Sequence, residues 1–181
     1  MARIGEILDF WFGPGMAGKW FVEDADFDRE VRAKLAAAYE RAAAGALDRW
    51  RDSAGGCVAL CILLDQVPRN VFRGQPRAYA SDAKALRVTH NALARGFDRE
   101  LPQVRRLFLY LPLEHAEAPE EQALSVRLIV RLDENPDWLA HALWHRDTVA
   151  RFGRFPHRNA VLGRSTTPEE AAFLALPDSR F

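Results

Sequence analysis

Apolar positions recur along this chain at helical spacing, and the breaks between them coincide with residues that stop or start helices. Ile4, Ile7, Leu8 and Trp11 follow the i, i+3, i+4, i+7 rule and predict a first helix, halted by Gly13-Pro14-Gly15. A longer helix, capped by Asp24 or Asp26, carries Phe27, Val31, Leu35, Ala38 and Tyr39 and ends near Gly45, with a short helical turn around Leu47 and Trp50. From about Ala54 to Val67 the chain is apolar on nearly every side, as expected of a helix at the centre of a bundle. Pro68 should end it, because the residue before a proline avoids helical angles.

Ser81 is then the expected cap of a fourth helix through Leu86, Leu93 and Ala94 to Gly96. A fifth runs from about Pro102 through Val104, Leu107, Phe108 and Tyr110 and should be interrupted at Pro112. Pro119 lies in the first turn of a sixth that reaches Leu132, and Asn135-Pro136 supplies the cap and first position of a seventh ending at Phe152-Gly153. Thr167, Pro168 and Glu170 form the start of a final helix, with a capping box between Thr167 and Glu170. Strand-like alternation is scarcely visible and the loops are short. The expected fold is therefore all-α, with consecutive helices packed as antiparallel hairpins. No linker or low-complexity segment divides the chain, so residues 1–181 read as a single helical domain.

Composition supports a packed globule: hydrophobic residues make up 49% of the 181. Twenty-five basic and 25 acidic residues give zero formal net charge, so neither nucleic acid nor a membrane surface is an expected partner. Lysine occurs only at Lys19, Lys34 and Lys84, and all other basic residues are arginine. A GC-rich coding bias explains that as well as selection for planar, bidentate donors does. Cys57 and Cys61, four apart in an apolar helix, read as buried reduced thiols. The N-terminus lacks a signal-peptide stretch and no run approaches the length of a membrane span, so the expected location is cytoplasmic.

Polar residues concentrate in three segments. The first, Asp65 to Gly74, holds Asp65, Gln66, Arg69, Asn70 and Arg73. At the expected end of the apolar helix, Asp65 faces the negative pole of the helix dipole and needs a cation, with Arg69 and Arg73 nearest in sequence. The second, Glu114-His115-Ala116-Glu117, flanks an imidazole with carboxylates, which suits acid–base chemistry and could equally be a solvated helix end. The third runs from Arg151 to Thr166. No acidic residue occurs between Asp147 and Glu169, yet Arg151, Arg154, Arg158 and Arg164 lie there with Phe152, Phe155, His157 and Asn159. These guanidiniums must find carboxylates elsewhere or an anionic ligand.

Gln122 and Ser125 share an arc with Ile129 and Leu132 and should point inwards, and His145 borders the apolar stripe of Trp138, Ala142, Val149 and Phe152. His141 and His145 are spaced for a two-histidine metal face, but the glutamate of a zinc-protease motif is missing, and no metal or cofactor is expected.

Over almost its full length the chain resembles the bacterial family named domain of unknown function 924. The matching stretches are Ile7 to Gly13, Trp20-Phe21, Phe27-Asp28, Leu64 to Gly74, Tyr110-Leu111-Pro112, Glu114-His115 and Arg151 to Thr166. Val67 and Ala116 depart from the family pattern, which would have Phe and Ser there, and neither change removes a charge. The resemblance implies an all-α fold similar to a right-handed stack of tetratricopeptide-like hairpins. Its signature residues are Asp65, Gln66, Arg69, Asn70, Arg73, Glu114, His115, Arg151, Arg154, His157, Arg158 and Asn159. It implies no activity.

Two classes of function remain open at this level. In one, the three polar segments converge on a pocket for an anionic small molecule, as in a hydrolase or transferase. Glu114, His115, His145 and His157 are then the acid–base candidates, and Asp65, Gln66, Arg69, Asn70, Arg73, Gln122, Arg151, Arg154, Arg158 and Asn159 the ligand contacts. In the other, the chain is a protein-interaction module whose arginines and carboxylates form internal ion networks.

Overall fold

In the computed structural model, which describes residues 2–177, helices alternate with short turns and no strand occurs among the described residues. They are α1 (Ile4–Trp11), α2 (Ala25–Ala43), α3 (Ala54–Cys61), a π-helical segment (Ile62–Gln66), α4 (Val67–Val71), α5 (Asp82–Ala94), α6 (Gln103–Glu114), α7 (Pro119–Ile129), α8 (Pro136–Phe152) and α9 (Pro168–Leu174). Consecutive partners α5 and α6, α6 and α7, and α7 and α8 pack together, an arrangement that fits stacked hairpins. No helix among the described residues is long and apolar enough to cross a membrane.

The apolar centre lies where the sequence puts it. Every residue of α3 except Gly55 is buried, and the helix is packed by α1, α5 and α6. Ser53 caps it through Gly56 N at 3.2 Å. Gly56 is required because a Cβ there would sit 2.0 Å from the Trp50 carbonyl oxygen. Cys57 and Cys61 are buried free thiols, and burial raises the pKa of both.

Pro68 does not end the helix. The chain widens by one residue per turn over Ile62–Gln66, so that Val67 N donates to Ile62 O five residues back, and then continues as α4 against α2. Pro68 has no N–H for the Leu64 carbonyl four residues earlier. That buried oxygen instead accepts the Ser81 hydroxyl at 2.5 Å. Ser81 consequently stands at the start of α5 without capping it, because its hydroxyl is already engaged. Pro112 also fails to interrupt its helix. It sits in the last turn of α6, which runs on to Glu114 and closes with His115 N donating to Leu111 O at 2.9 Å.

α8 and α9 begin as expected, the first with Asn135 accepting from Asp137 N and the second with the reciprocal Thr167–Glu170 box. Trp20 bonds the Trp11 carbonyl through Nε1 at 2.8 Å and packs edge-on to Phe108 at 4.8 Å, which ties the loop after α1 to α6 and carries Phe21 to the end of the bundle.

Because the Ser81 hydroxyl answers a carbonyl orphaned by Pro68, Ser81→Ala is expected to cost about 1–3 kcal/mol in urea unfolding. The cost should shrink in a Pro68→Ala background, where residue 68 regains an N–H. Equal losses in the two backgrounds would show that the Leu64 carbonyl is not the link.

Candidate functional site

Three elements meet at one end of the bundle. The π-helical segment presents Asp65, the end of α6 presents Glu114 and His115, and α8 presents His145, with the loop after α8 closing over them through Phe155, His157 and Arg158.

Asp65 is 1% exposed, yet both its oxygens are engaged. Oδ1 lies 3.1 Å from Arg69 Nη1 and 2.8 Å from His115 Nδ1, and Oδ2 accepts from Gln66 Nε2 at 2.7 Å. Burial would raise this carboxyl's pKa, but Arg69 and then His115 outweigh it and hold Asp65 ionised, well below the usual carboxylate range. Arg69 is shared: it also grips Asp82 with both terminal nitrogens, at 2.9 and 3.0 Å. Burial outweighs Asp65 at His115 and lowers the imidazole's pKa, so the ring is neutral at pH 7. Its Nδ1–H then donates to Asp65, and Nε2 keeps the lone pair that can take a proton.

Glu114 has the opposite environment. It is 3% exposed, burial and the neighbouring Asp65 charge raise its pKa to about 8, and no cation opposes them. It is therefore a protonated acid at neutral pH. Its Oε1 lies 3.2 Å from His145 Nδ1, which also reaches the His141 carbonyl at 2.9 Å. Burial holds His145 well below the ordinary histidine pKa, so it too is neutral. Two carboxyls within mutual influence are thus driven apart, one ionised and one protonated, the usual arrangement of an acid–base site.

Glu114, His115 and His145 form the polar wall of a cavity of about 570 Å³, with His141 at its edge. Leu107, Leu111, Trp138, Trp144 and Phe21 supply the apolar walls. The size and the mixture of apolar walls with a few polar groups suit a small organic molecule.

The other anticipated site residues divide into three groups. His157 and Arg158 are close enough to His115 to act on it electrostatically and are not among the residues that line the cavity. His157 is pushed to about 3 by burial and then by Arg158, and is neutral. Arg158 lies over the rings of Tyr79 and Phe155 at 4.7 and 4.6 Å and reaches Asp82 at 3.4 Å, while its buried Nε has no hydrogen-bond partner among the described residues. Gln122 props the site from beneath: its Nε2 donates to the carbonyls of Glu114 and Ala116 at 2.5 and 2.8 Å. A second group pins the loop after α8. Arg154 grips Glu170 with two bonds, Asn159 bonds Glu170 and Arg164, and Arg164 grips Glu117 at 2.7 and 3.0 Å. The third group lies elsewhere. Asn70 and Arg73 both bond Asp28 on α2, so of the two arginines expected near Asp65 Arg69 reaches it and Arg73 does not, and Arg151 forms an exposed pair with Glu169. Among the described residues no arginine lines the cavity.

Asp82, Tyr79, Phe21 and Trp144 escaped the sequence reading. Asp82 follows Ser81 and reads as an ordinary first-turn acid, and only the tertiary position of Arg69 and Arg158 gives it a larger role. The exposed pair Phe21 and Trp144 left the signal of apolar side chains outside any periodic stripe. No group of three or more His, Cys, Asp or Glu side chains among the described residues is placed to hold a metal ion.

A family model described as "Bacterial protein of unknown function (DUF924)" matches residues 7–178. The chain is similar to a solved protein of unknown function from Agrobacterium tumefaciens, with 43% identity and a TM-score of 0.90 over 95% of this chain and 96% of that one. No curated protein matches.

Two stability measurements follow from the electrostatics. Glu114 binds its proton more tightly folded than unfolded, so the stability this proton brings is complete below the ordinary pKa of 4.5 and is lost as pH rises through about 8. Relative to Glu114→Gln, the wild type should therefore lose stability between pH 5 and 8, by up to about 1.4 kcal/mol per pH unit. Parallel pH profiles would refute the assignment. Asp65→Asn leaves Arg69 with half its compensation in a buried site and should cost about 3–5 kcal/mol by denaturant titration, against less than 1 kcal/mol for the exposed Arg151→Gln.

Proposed function

We propose that this chain, which belongs to the bacterial DUF924 family, binds a small organic molecule in the cavity beside Glu114 and His115 and hydrolyses it by acid–base catalysis. The observation that carries the reading is the pairing of a neutral imidazole oriented by a buried carboxylate with a protonated carboxylic acid on one cavity wall. His115 Nε2 takes a proton from water as the water oxygen bonds to the electrophilic carbon. Glu114 gives its proton to the departing oxygen or nitrogen as that bond breaks. His115 then returns its proton to the Glu114 carboxylate through solvent. Asp65 positions the ring and stabilises the imidazolium that forms. Among the described residues the cavity lining holds no serine, cysteine, threonine or lysine, and the step proposed is direct attack by water.

The anionic ligand expected from the arginine-rich loop has less support in this geometry, because the loop arginines all meet carboxylates. Those same ion pairs favour one part of the rival reading, in which internal networks fix loop positions in a protein-docking module. The two buried free thiols are compatible with a reducing, cytoplasmic setting.

A panel of chromogenic esters and anilides with apolar acyl groups tests the proposal. Turnover by the wild type should fall about 100-fold or more in His115→Ala. Glu114→Gln should impair anilides, which have poor leaving groups, more than nitrophenyl esters, which need little protonation. No turnover of any panel member, or turnover indifferent to His115→Ala, defeats the hydrolase reading.

A further inference from the structure

A second hollow of about 370 Å³ lies beside the cavity, with Phe21, Trp138 and His141 lining both. The second hollow adds the Trp20 ring and two carboxylates, Glu134 and Asp137. Among the described residues, neither carboxylate has an ion-pair partner and neither lining contains a lysine or arginine.

We infer that the molecule taken by the catalytic cavity is an organic cation, with its apolar body beside Glu114 and His115 and an ammonium group lodged among Trp20, Phe21, Trp138, Glu134 and Asp137. The inference rests on the small-molecule reading of the cavity and adds the charge of its occupant. Aromatic faces attract a cation through their quadrupoles, by about 0.5–2 kcal/mol according to how dry the site is. Two carboxylates at the same place add direct attraction.

The N-terminus of α8 beside the hollow, worth roughly half a charge, is closed to anions. Pro136 has no N–H, Asp137 N is taken by the Asn135 side chain at 2.9 Å, and Trp138 N by the Asn135 carbonyl at 3.3 Å. Two full negative charges outweigh that residue of dipole. The catalytic wall agrees in sign: its neighbouring Asp65 charge helps keep the Glu114 proton in place, with no opposing cation.

Calorimetric titration of the full chain with 2-phenylethylammonium, 2-phenylethanol and 3-phenylpropanoate separates charge from shape. The ammonium should bind about tenfold or more tighter than the alcohol, a difference of about 1.4 kcal/mol, and the carboxylate weakest. Glu134→Gln with Asp137→Asn should erase the ammonium's advantage and leave the alcohol unchanged. Glu134→Gln alone should erase part of it, which guards against loss of the α8 first turn in the double variant. A carboxylate that binds as tightly as the ammonium, or an ammonium preference that survives both substitutions, overturns the charge assignment while leaving the cavity reading intact. Binding of none of the three overturns both.

Discussion

A carboxylate kept ionised in the interior is the constraint around which this molecule is organised. Asp65 has almost no contact with water, and an isolated charge there would cost several kcal/mol even after relaxation. It remains charged because Arg69, His115 and Gln66 converge on it. Those partners have needs of their own. Arg69 brings in Asp82 from α5, Asp82 brings in Arg158 from the loop after α8, and Arg158 lies over the rings of Tyr79 and Phe155. One buried charge thereby joins four stretches of chain. Breaking the chain at any link leaves a cation or an anion stranded, which is why such networks specify geometry more than they add stability.

The same carboxylate gives the candidate site its asymmetry. Its charge orients His115 and at the same time discourages ionisation of Glu114 next along the chain. The neutral imidazole and the protonated carboxylic acid are adjacent residues at a helix end, differentiated by what surrounds them. A helix terminus suits this, because side chains of successive residues there diverge by about 100° and can reach different neighbours. Glu114 turns to His145 and His115 to Asp65.

Most of the fold was legible from periodicity and caps. The apolar faces of α1, α2 and α8, the fully buried α3 and the Thr167–Glu170 box all lie where the spacing puts them. Two of the misses share a cause, since both concern prolines read as terminators, and the idle cap at Ser81 follows from the first of them. Pro68 and Pro112 sit inside helices because tertiary partners or a local change of pitch relieve the missing hydrogen bond, and a distant hydroxyl such as that of Ser81 leaves no local trace. For the site, sequence found Asp65, Glu114, His115 and His145 by residue type, since charged groups beside apolar runs need partners. It could not tell which arginines would serve them: Arg69 and Arg73 look alike on the page, but one turn of helix sends the first to Asp65 and the second to Asp28 on α2. The loop arginines were conspicuous for want of local acids, and the carboxylates that answer them come from just beyond the window, from α5 or from the turn between α6 and α7.

The widened turn at Ile62–Gln66 has a consequence for the architecture. It acts as a one-residue phase slip: everything after it is rotated by about one residue's arc relative to an uninterrupted α-helix. A single continuous rod could present only one stripe to one set of neighbours, whereas the slip lets α3 mesh with α1, α5 and α6 while α4 meshes with α2. The aspartate sits at the seam between those two registers, so the frame-shift that reconciles two incompatible packing surfaces also fixes the azimuth of the charged group.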